Sequence, residues 1–223
     1  MSRSEPPTDA SRVELALERL AEVEVLGPLG EGGKSTVYRA AWRGREVALK
    51  VYKARAVAHH ARKHGQDIAA YEHERNRAFW SAPGLARYVA EPLGYLAAAE
   101  VSAFWQELLR GELYYFYYTR RNGQVPPQLF AHVRRMVELY HAAGLYDVDL
   151  HAMNVMVVEE PSGEPVPKLF DFNLVPFHVR PRNPFVALLL RTGLMDTRAR
   201  DLRKLRRFHD FRRIEAKLVG FYR

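Results

Sequence analysis

Cysteine is absent from the 223 residues. That excludes disulfides and thiolate metal sites, and nothing here argues for secretion. Long apolar runs are missing too: the strongest near the C-terminus, Phe185–Leu190, is far too short to span a bilayer. The first twenty residues, MSRSEPPTDASRVELALERL, carry acids and lack an apolar core segment, so no signal peptide is expected there. These absences predict a cytoplasmic protein. Acidic residues are outnumbered, with 26 Asp and Glu against 34 Lys and Arg, a net charge of +8 and a pI of about 9.8. Such a balance suits an anionic partner, whether nucleotide, nucleic acid, phosphorylated glycan or acidic membrane surface. Hydrophobic residues still make up 48%, enough for a sizeable core in one or two compact lobes.

Three polar residues stand out of apolar surroundings in the stretch Tyr146–Asn173: Asp149, Asn154 and Asp171. Asp149 and Asn154 lie five apart, just before the β-branched run Val155-Met156-Val157-Val158. Pro161–Pro165 is a turn by composition, and Lys168-Leu169-Phe170 then delivers Asp171. The pattern predicts a polar loop followed by a hairpin that brings all three residues to one end of a two-strand unit. Two carboxylates and an amide gathered there suit Mg²⁺-dependent phosphoryl transfer, because hard cations take oxygen ligands and a further Asp can accept a hydroxyl proton.

Upstream, Gly30-Glu31-Gly32-Gly33-Lys34-Ser35-Thr36-Val37 reads as a glycine-rich turn between two strands. The P-loop template fails on it. The glycine required five residues before Gly33 is Pro28, and a strand pattern follows where a helix is needed. The G-x-G-x-x-G-x-V template fits Gly30, Gly32 and Val37, with Ser35 in the third glycine's place. Arg45–Lys53 then reads as a buried strand with a central lysine, Lys50, which needs a negative partner to offset its desolvation. Residues 54–80 read as helical with a break at Gly65. Within them Glu74 is the favoured partner for Lys50, because Ala70, Ala78 and Ser81 make its face small; Glu72 is the runner-up. His60 and His64 stand four apart, but no third ligand is near in sequence, so a solvated helix face is expected rather than a metal site.

Strand patterns recur at Tyr88–Tyr95 and Val101–Trp105. The second runs into Gln106-Glu107-Leu108-Leu109-Arg110-Gly111, where a hinge between lobes is expected and the backbone around Glu107 and Leu109 could pair with an adenine edge. The aromatic run Leu113–Tyr118 is expected to be buried. After Pro126-Pro127 the spacing of Phe130, Val133, Met136, Val137 and Tyr140 predicts a helix with a C-cap at Gly144. Residues 1–10 read as a disordered tail, and Ser11 as the cap of a short helix. At the other end Leu202, Leu205, Phe208, Phe211, Ile214, Leu218 and Phe221 form a stripe opposite many arginines and lysines. This predicts a basic amphipathic helix over 198–223, expected to pack on the body of the protein; an anionic membrane or nucleic acid are the alternatives.

In order and spacing these motifs resemble the protein-kinase-like superfamily, in its compact bacterial branch, over about residues 23–175. Gly30–Val37 is similar to the glycine-rich loop, Val47-Ala48-Leu49-Lys50 to the V-A-I-K strand, and Glu74 to its partner glutamate. Asp149–Asn154 is similar to the catalytic loop D-L-x-x-x-N, and Asp171-Phe172-Asn173 to D-F-G. Departures are informative. Asp147-Val148 replaces His-Arg, His151 replaces the usual lysine, Asn173 replaces the glycine, and about fifty residues follow without an A-P-E segment.

The resemblance implies an α+β, protein-kinase-like bilobal fold. A β-rich N-lobe with one main helix would span 23–108, after a tail over 1–22. A reduced, mainly helical C-lobe would span 109–223 and end in the basic helix. It further implies an ATP- and Mg²⁺-dependent phosphotransferase. Asp149, Lys50 and Glu74 would be catalytic. Gly30, Gly32, Gly33, Ser35, Val37, Lys50, Glu107 and Leu109 would hold nucleotide, and Asn154 and Asp171 would hold the metal. By the same resemblance, to lipopolysaccharide-core (Kdo/heptose) kinases, the acceptor is a core sugar. The basic tail would then face anionic lipid at the inner face of the membrane. A RIO-like protein kinase and a non-catalytic kinase-shaped module that uses the basic helix on nucleic acid or a partner are the rivals.

Overall fold

The structure, a computed structural model, describes residues 18–20, 22–98, 101–176, 184–194, 196–212 and 214–215. The expected tail over 1–10 and the helix cap at Ser11 lie outside the described residues. Two compact units divide the chain, Met1–Arg77 with Ala90–Leu108, and Ala78–Val89 with Leu109–Arg223.

The first unit is built on a five-stranded antiparallel sheet. Its strands are β1 (Val23–Glu31), β2 (Ser35–Trp42), β3 (Arg45–Tyr52), β4 (Pro92–Ala97) and β5 (Ser102–Glu107), in the order β1-β2-β3-β5-β4. Alternation along β3 sorts its side chains, since neighbours in a strand point to opposite faces. Val47, Leu49 and Val51 are buried with Ala40, Ala103 and Trp105 in one apolar cluster. Tyr52 joins Ile68, Ala69 and Phe104 in another. Burying a leucine or valine in this way contributes about 1.5–3 kcal/mol each, so the sheet's stability rests on that alternation. Two helices follow β3: α1 (Ala54–His64) and α2 (Ile68–Trp80). Gly65 ends α1 at φ 71°, a left-handed conformation that a side chain would strain, with its N–H bonded to Ala61 O at 2.7 Å.

In the second unit a three-stranded sheet, β6 (Gly111–Leu113), β7 (Val155–Glu159) and β8 (Pro165–Leu169), lies beside four described helices. These are α3 (Tyr114–Arg120), α4 (Pro127–Ala142), α5 (Pro184–Arg191) and α6 (Ala199–Arg206). Pro127 opens α4, where its missing N–H costs nothing. The apolar stripe of α4, Leu129, Val133, Met136, Val137 and Tyr140, is buried at 0–1% exposure against Val155, Leu169 and Phe172. The aromatic run is buried at its start, Tyr114 and Tyr115, and emerges at Phe116.

The tail departs from the single long helix expected over 198–223. The helix α6 stops at Arg206 and gives way to turns, so the apolar stripe does not continue on one cylinder. Its face is also rotated from the expected one: Leu202 is 38% exposed while Asp201 is fully buried. Beyond the turn, Phe208 and Phe211 enter the core, with Leu205 and Ile214 against it. The tail's described apolar residues therefore pack internally, apart from Leu202. Leu218 and Phe221 lie outside the described residues.

Candidate functional site

Two groups of polar residues correspond to the expected site, one in each unit. In the first unit the glycine-rich turn joins β1 to β2 in antiparallel pairing, with Gly30 opposite Val37 and Glu31 opposite Thr36. It is a strand-turn-strand loop. Gly32 N–H donates to Ser35 O at 2.8 Å, and Lys53 N–H to Lys34 O at 2.9 Å. Arg55 donates to Gly33 O at 3.2 Å, and the Lys53 ammonium pairs with Glu31, holding that carboxyl below its usual range. None of Gly30, Gly32 and Gly33 has a positive φ, and a Cβ built at Gly30 or Gly33 meets nothing within 4 Å. The chain's own packing does not demand glycine there.

Lys50 stands in β3 opposite Val37, on the face shared with Tyr52. Its Nζ donates to Glu72 Oε1 at 2.6 Å, with 10% of the lysine side chain and none of the glutamate exposed. The Tyr52 hydroxyl donates to the other carboxylate oxygen. The favoured Glu74 is therefore corrected to Glu72. Two residues on a helix differ by about 200°, so one glutamate faces inward and the other outward. Glu72 shares an i, i+4 row with Ile68 and Asn76, all buried, whereas Glu74 accepts from Gln66 Nε2 at the surface. Glu107 ends β5 with its N–H on Glu91 O at 2.9 Å and its carboxylate accepting from Glu91 N at 3.1 Å. Leu109 belongs to the irregular stretch Leu108–Arg110 that precedes β6.

In the second unit the hairpin forms as expected. Val155 pairs with Leu169 and Phe170 N–H donates to Asn154 O at 3.3 Å. Asn154 and Asp171 are thus held at the same end of β7 and β8. Asn154 Nδ2 donates to the backbone oxygen of Asp149 at 3.0 Å, which ties the loop to the hairpin and leaves the amide oxygen as the donor atom a hard cation prefers. Asp171 Oδ1 accepts from both the backbone and the side-chain nitrogen of Asn173. The hairpin's far end is clamped by Arg87, bidentate to Glu160 at 2.8 Å and paired with Glu164. The guanidinium holds Glu160 below the usual carboxylate range; His132, then Arg87, does so for Glu164.

Asp149 is 44% exposed at its side chain, so its carboxylate is open to solvent. His151 Nε2 lies 3.7 Å from its Oδ2, while His151 Nδ1 accepts from Met153 N–H at 3.2 Å. Further contacts to the loop come from α6, more than fifty residues on, and sequence reasoning missed them. Arg200 pairs with buried Asp147 at 3.1 Å. Asp201 accepts the Asp147 N–H at 2.6 Å and lies 3.2 Å from His141 Nε2. Lys204 Nζ donates to Val148 O at 2.5 Å and lies 3.3 Å from Asp149 Oδ1. Asp147 needs this support, since it is a non-glycine residue at φ 60° with no exposure. The one signal in the sequence was an acid, Asp201, inside an otherwise basic run.

Among the described residues no cluster of three or more His, Asp or Glu forms a metal site of its own, and no helix is long and apolar enough to cross a membrane. No protein-family model matches the chain, and no curated protein matches it. Among solved structures it is similar to Rad53 1-466 in complex with AMP-PNP, at a TM-score of 0.57 and 17% identity. The match covers 76% of this chain and 44% of that one, so the chain spans less than half of the structure it resembles. Likeness at this identity speaks to the fold, and with the five-stranded sheet, the Lys50–Glu72 pair and the loop-hairpin unit it establishes that this chain has a protein-kinase-like fold.

Proposed function

We propose that the protein is an ATP- and Mg²⁺-dependent phosphotransferase that moves the γ-phosphoryl group to a hydroxyl acceptor. The observation that carries this is the placing of Asn154 and Asp171 at one hairpin end, with Asn154 bonded to the loop of Asp149. In this reading Asp149 accepts the acceptor's proton and aligns its oxygen. Asn154 and Asp171 supply the oxygen donors that fit Mg²⁺, which when bound neutralises phosphate charge. Lys50, oriented by Glu72, binds the α/β-phosphates. The backbone of Gly30–Ser35, where nothing else occupies the space a Cβ would take at Gly30 and Gly33, covers them. Glu107 and Leu109 offer backbone groups to the adenine. The structure of Rad53 holds AMP-PNP, an ATP analogue, which supports nucleotide as the ligand class.

For the acceptor we propose a sugar hydroxyl of an anionic glycolipid of the lipopolysaccharide-core type. Support comes from the departures at His151 in the loop and at Asn173 beyond the hairpin, and from the net charge of +8. Contact with the inner face of the membrane goes with that acceptor.

Radiolabelled ATP incubated with fractionated cell extract tests the whole. Label is expected in the glycolipid fraction, and Asp149→Ala should abolish transfer while nucleotide still binds. Label in protein would replace the acceptor assignment with a RIO-like protein kinase. Undiminished turnover by Asp149→Ala would overturn the phosphotransfer reading. Salt-sensitive binding to single-stranded or duplex DNA without ATP turnover would favour a non-catalytic module.

A further inference from the structure

We propose that Lys204 is the positioning residue for Asp149, a lysine supplied to the catalytic loop by α6 and not by the loop itself. This rests on the phosphotransfer reading. Within the loop, the neighbour of Asp149 that could carry positive charge is His151. It lies 3.7 Å away, beyond hydrogen-bond reach, and it is charged when protonated and not otherwise. Its Nδ1 is already accepting the Met153 N–H. Lys204 differs in its reach. Its Nζ donates to Asp149 Oδ1 at 3.3 Å, within hydrogen-bond reach, and 21% of its side chain is exposed. The same ammonium donates to the carbonyl of Val148 at 2.5 Å, so it grips both the carboxylate and the peptide that carries it.

The helix that carries this lysine is bonded to the loop at further points. Arg200, Asp201 and Lys204 lie within one turn of α6, at spacings that share a face. Arg200 and Asp201 fix Asp147 from both sides, one on its carboxylate and one on its N–H. Asp201 is fully buried and beside His141 of α4. Three consecutive loop residues, Asp147, Val148 and Asp149, are therefore held from one helix face. A carboxylate that must accept a proton in line gains from such fixing, because misplacement by about 1 Å can cost on the order of 10²-fold in rate.

The test compares Lys204→Met, Lys204→Arg and the double variant Lys204→Met/His151→Lys in steady-state turnover of radiolabelled MgATP. For Lys204→Met we expect kcat to fall about 10²-fold, with KM for MgATP and the melting temperature close to wild type. Lys204→Arg should retain most activity, since a guanidinium can meet both acceptors. The double variant should recover at least about tenfold, because a lysine at position 151 starts beside Asp149. A second readout does not need activity: in acylation followed by mass spectrometry, Lys204 should react more slowly than exposed Lys63, and Asp149→Ala should speed it. Full kcat in Lys204→Met overturns the proposal. So does a loss that tracks the melting temperature and is not recovered by His151→Lys, or a Lys204 as reactive as Lys63. Undiminished turnover by Asp149→Ala would instead overturn the phosphotransfer reading, and the acylation result would still decide the ion pair.

Discussion

Lys50 and Glu72 meet at 2.6 Å with the carboxylate fully buried, while Glu74, two residues along the same helix, bonds Gln66 at the surface. Removing one member of a buried pair strands the other without water, at a cost of about 3–5 kcal/mol. Glu72→Ala should therefore lower unfolding stability by that amount in urea titration, and Glu74→Ala should stay within about 0.5 kcal/mol. Equal effects from the two would refute the assignment of the partner.

The proposed role of the glycine loop predicts an effect on binding without an effect on folding. At Gly30 and Gly33 a methyl group meets no neighbour and no left-handed backbone. Gly30→Ala and Gly33→Ala should leave stability within about 0.5 kcal/mol but weaken MgATP binding on the order of tenfold, about 1.4 kcal/mol. Calorimetric titration with MgATP measures the second quantity. Unchanged affinity in both variants would remove the loop from the nucleotide site.

Gly111 behaves in the opposite way. A Cβ there would lie 2.1 Å from the carbonyl oxygen of Val157, backbone that cannot step aside without breaking the β6–β7 pairing. Gly111→Ala should cost about 1–3 kcal/mol or more. A thermal melt of this variant matching wild type would show that the strand pair yields easily.

Acid should destabilise the protein in two stages. Burial pushes His60, His73 and His209 below the usual histidine range. Near Tyr114, whose hydroxyl is pushed well up by burial, His209 Nε2 lies 2.9 Å from Oη, an arrangement that suits a neutral ring. The unfolded chain thus binds more protons below about pH 6.5, and stability, level above that, falls as pH drops. Glu160 and Glu164, held low in the fold, add a second loss below about pH 4.5 as they protonate. His73→Phe keeps a ring beside Tyr95 and Phe104 and should flatten part of the first stage in melting temperature against pH. A slope identical to wild type would count against His73.

Local pattern carried much of this fold. The alternation of Val47, Leu49 and Val51 fixed the inner face of β3, and the β-branched run after Asn154 announced the hairpin. A glycine-rich turn between strand-forming residues distinguishes this loop from a P-loop. These are neighbour effects with a period of two or a fixed turn chemistry, so they are written in consecutive residues. The inward row of α2 is not legible in the sequence because it mixes types: Ile68, Glu72 and Asn76 do not form an apolar stripe, and the small residues lie around Glu74, on the outward side. The long basic helix failed for a related reason. A stripe at i+3/i+4 intervals persists in turns whose side chains still reach the core, as Phe208 and Phe211 do.

The sequence by itself determined that Lys50 sits in an apolar strand and that Asp149, Asn154 and Asp171 belong to a loop and a hairpin, because spacing and strand period act within a few residues. Tertiary structure decided which glutamate meets Lys50, and brought α6 to the loop of Asp149 so that Lys204 stands beside that carboxylate. Those pairings depend on the rotation of each helix about its axis and on contacts across more than twenty and more than fifty positions. Packing of the whole core sets both.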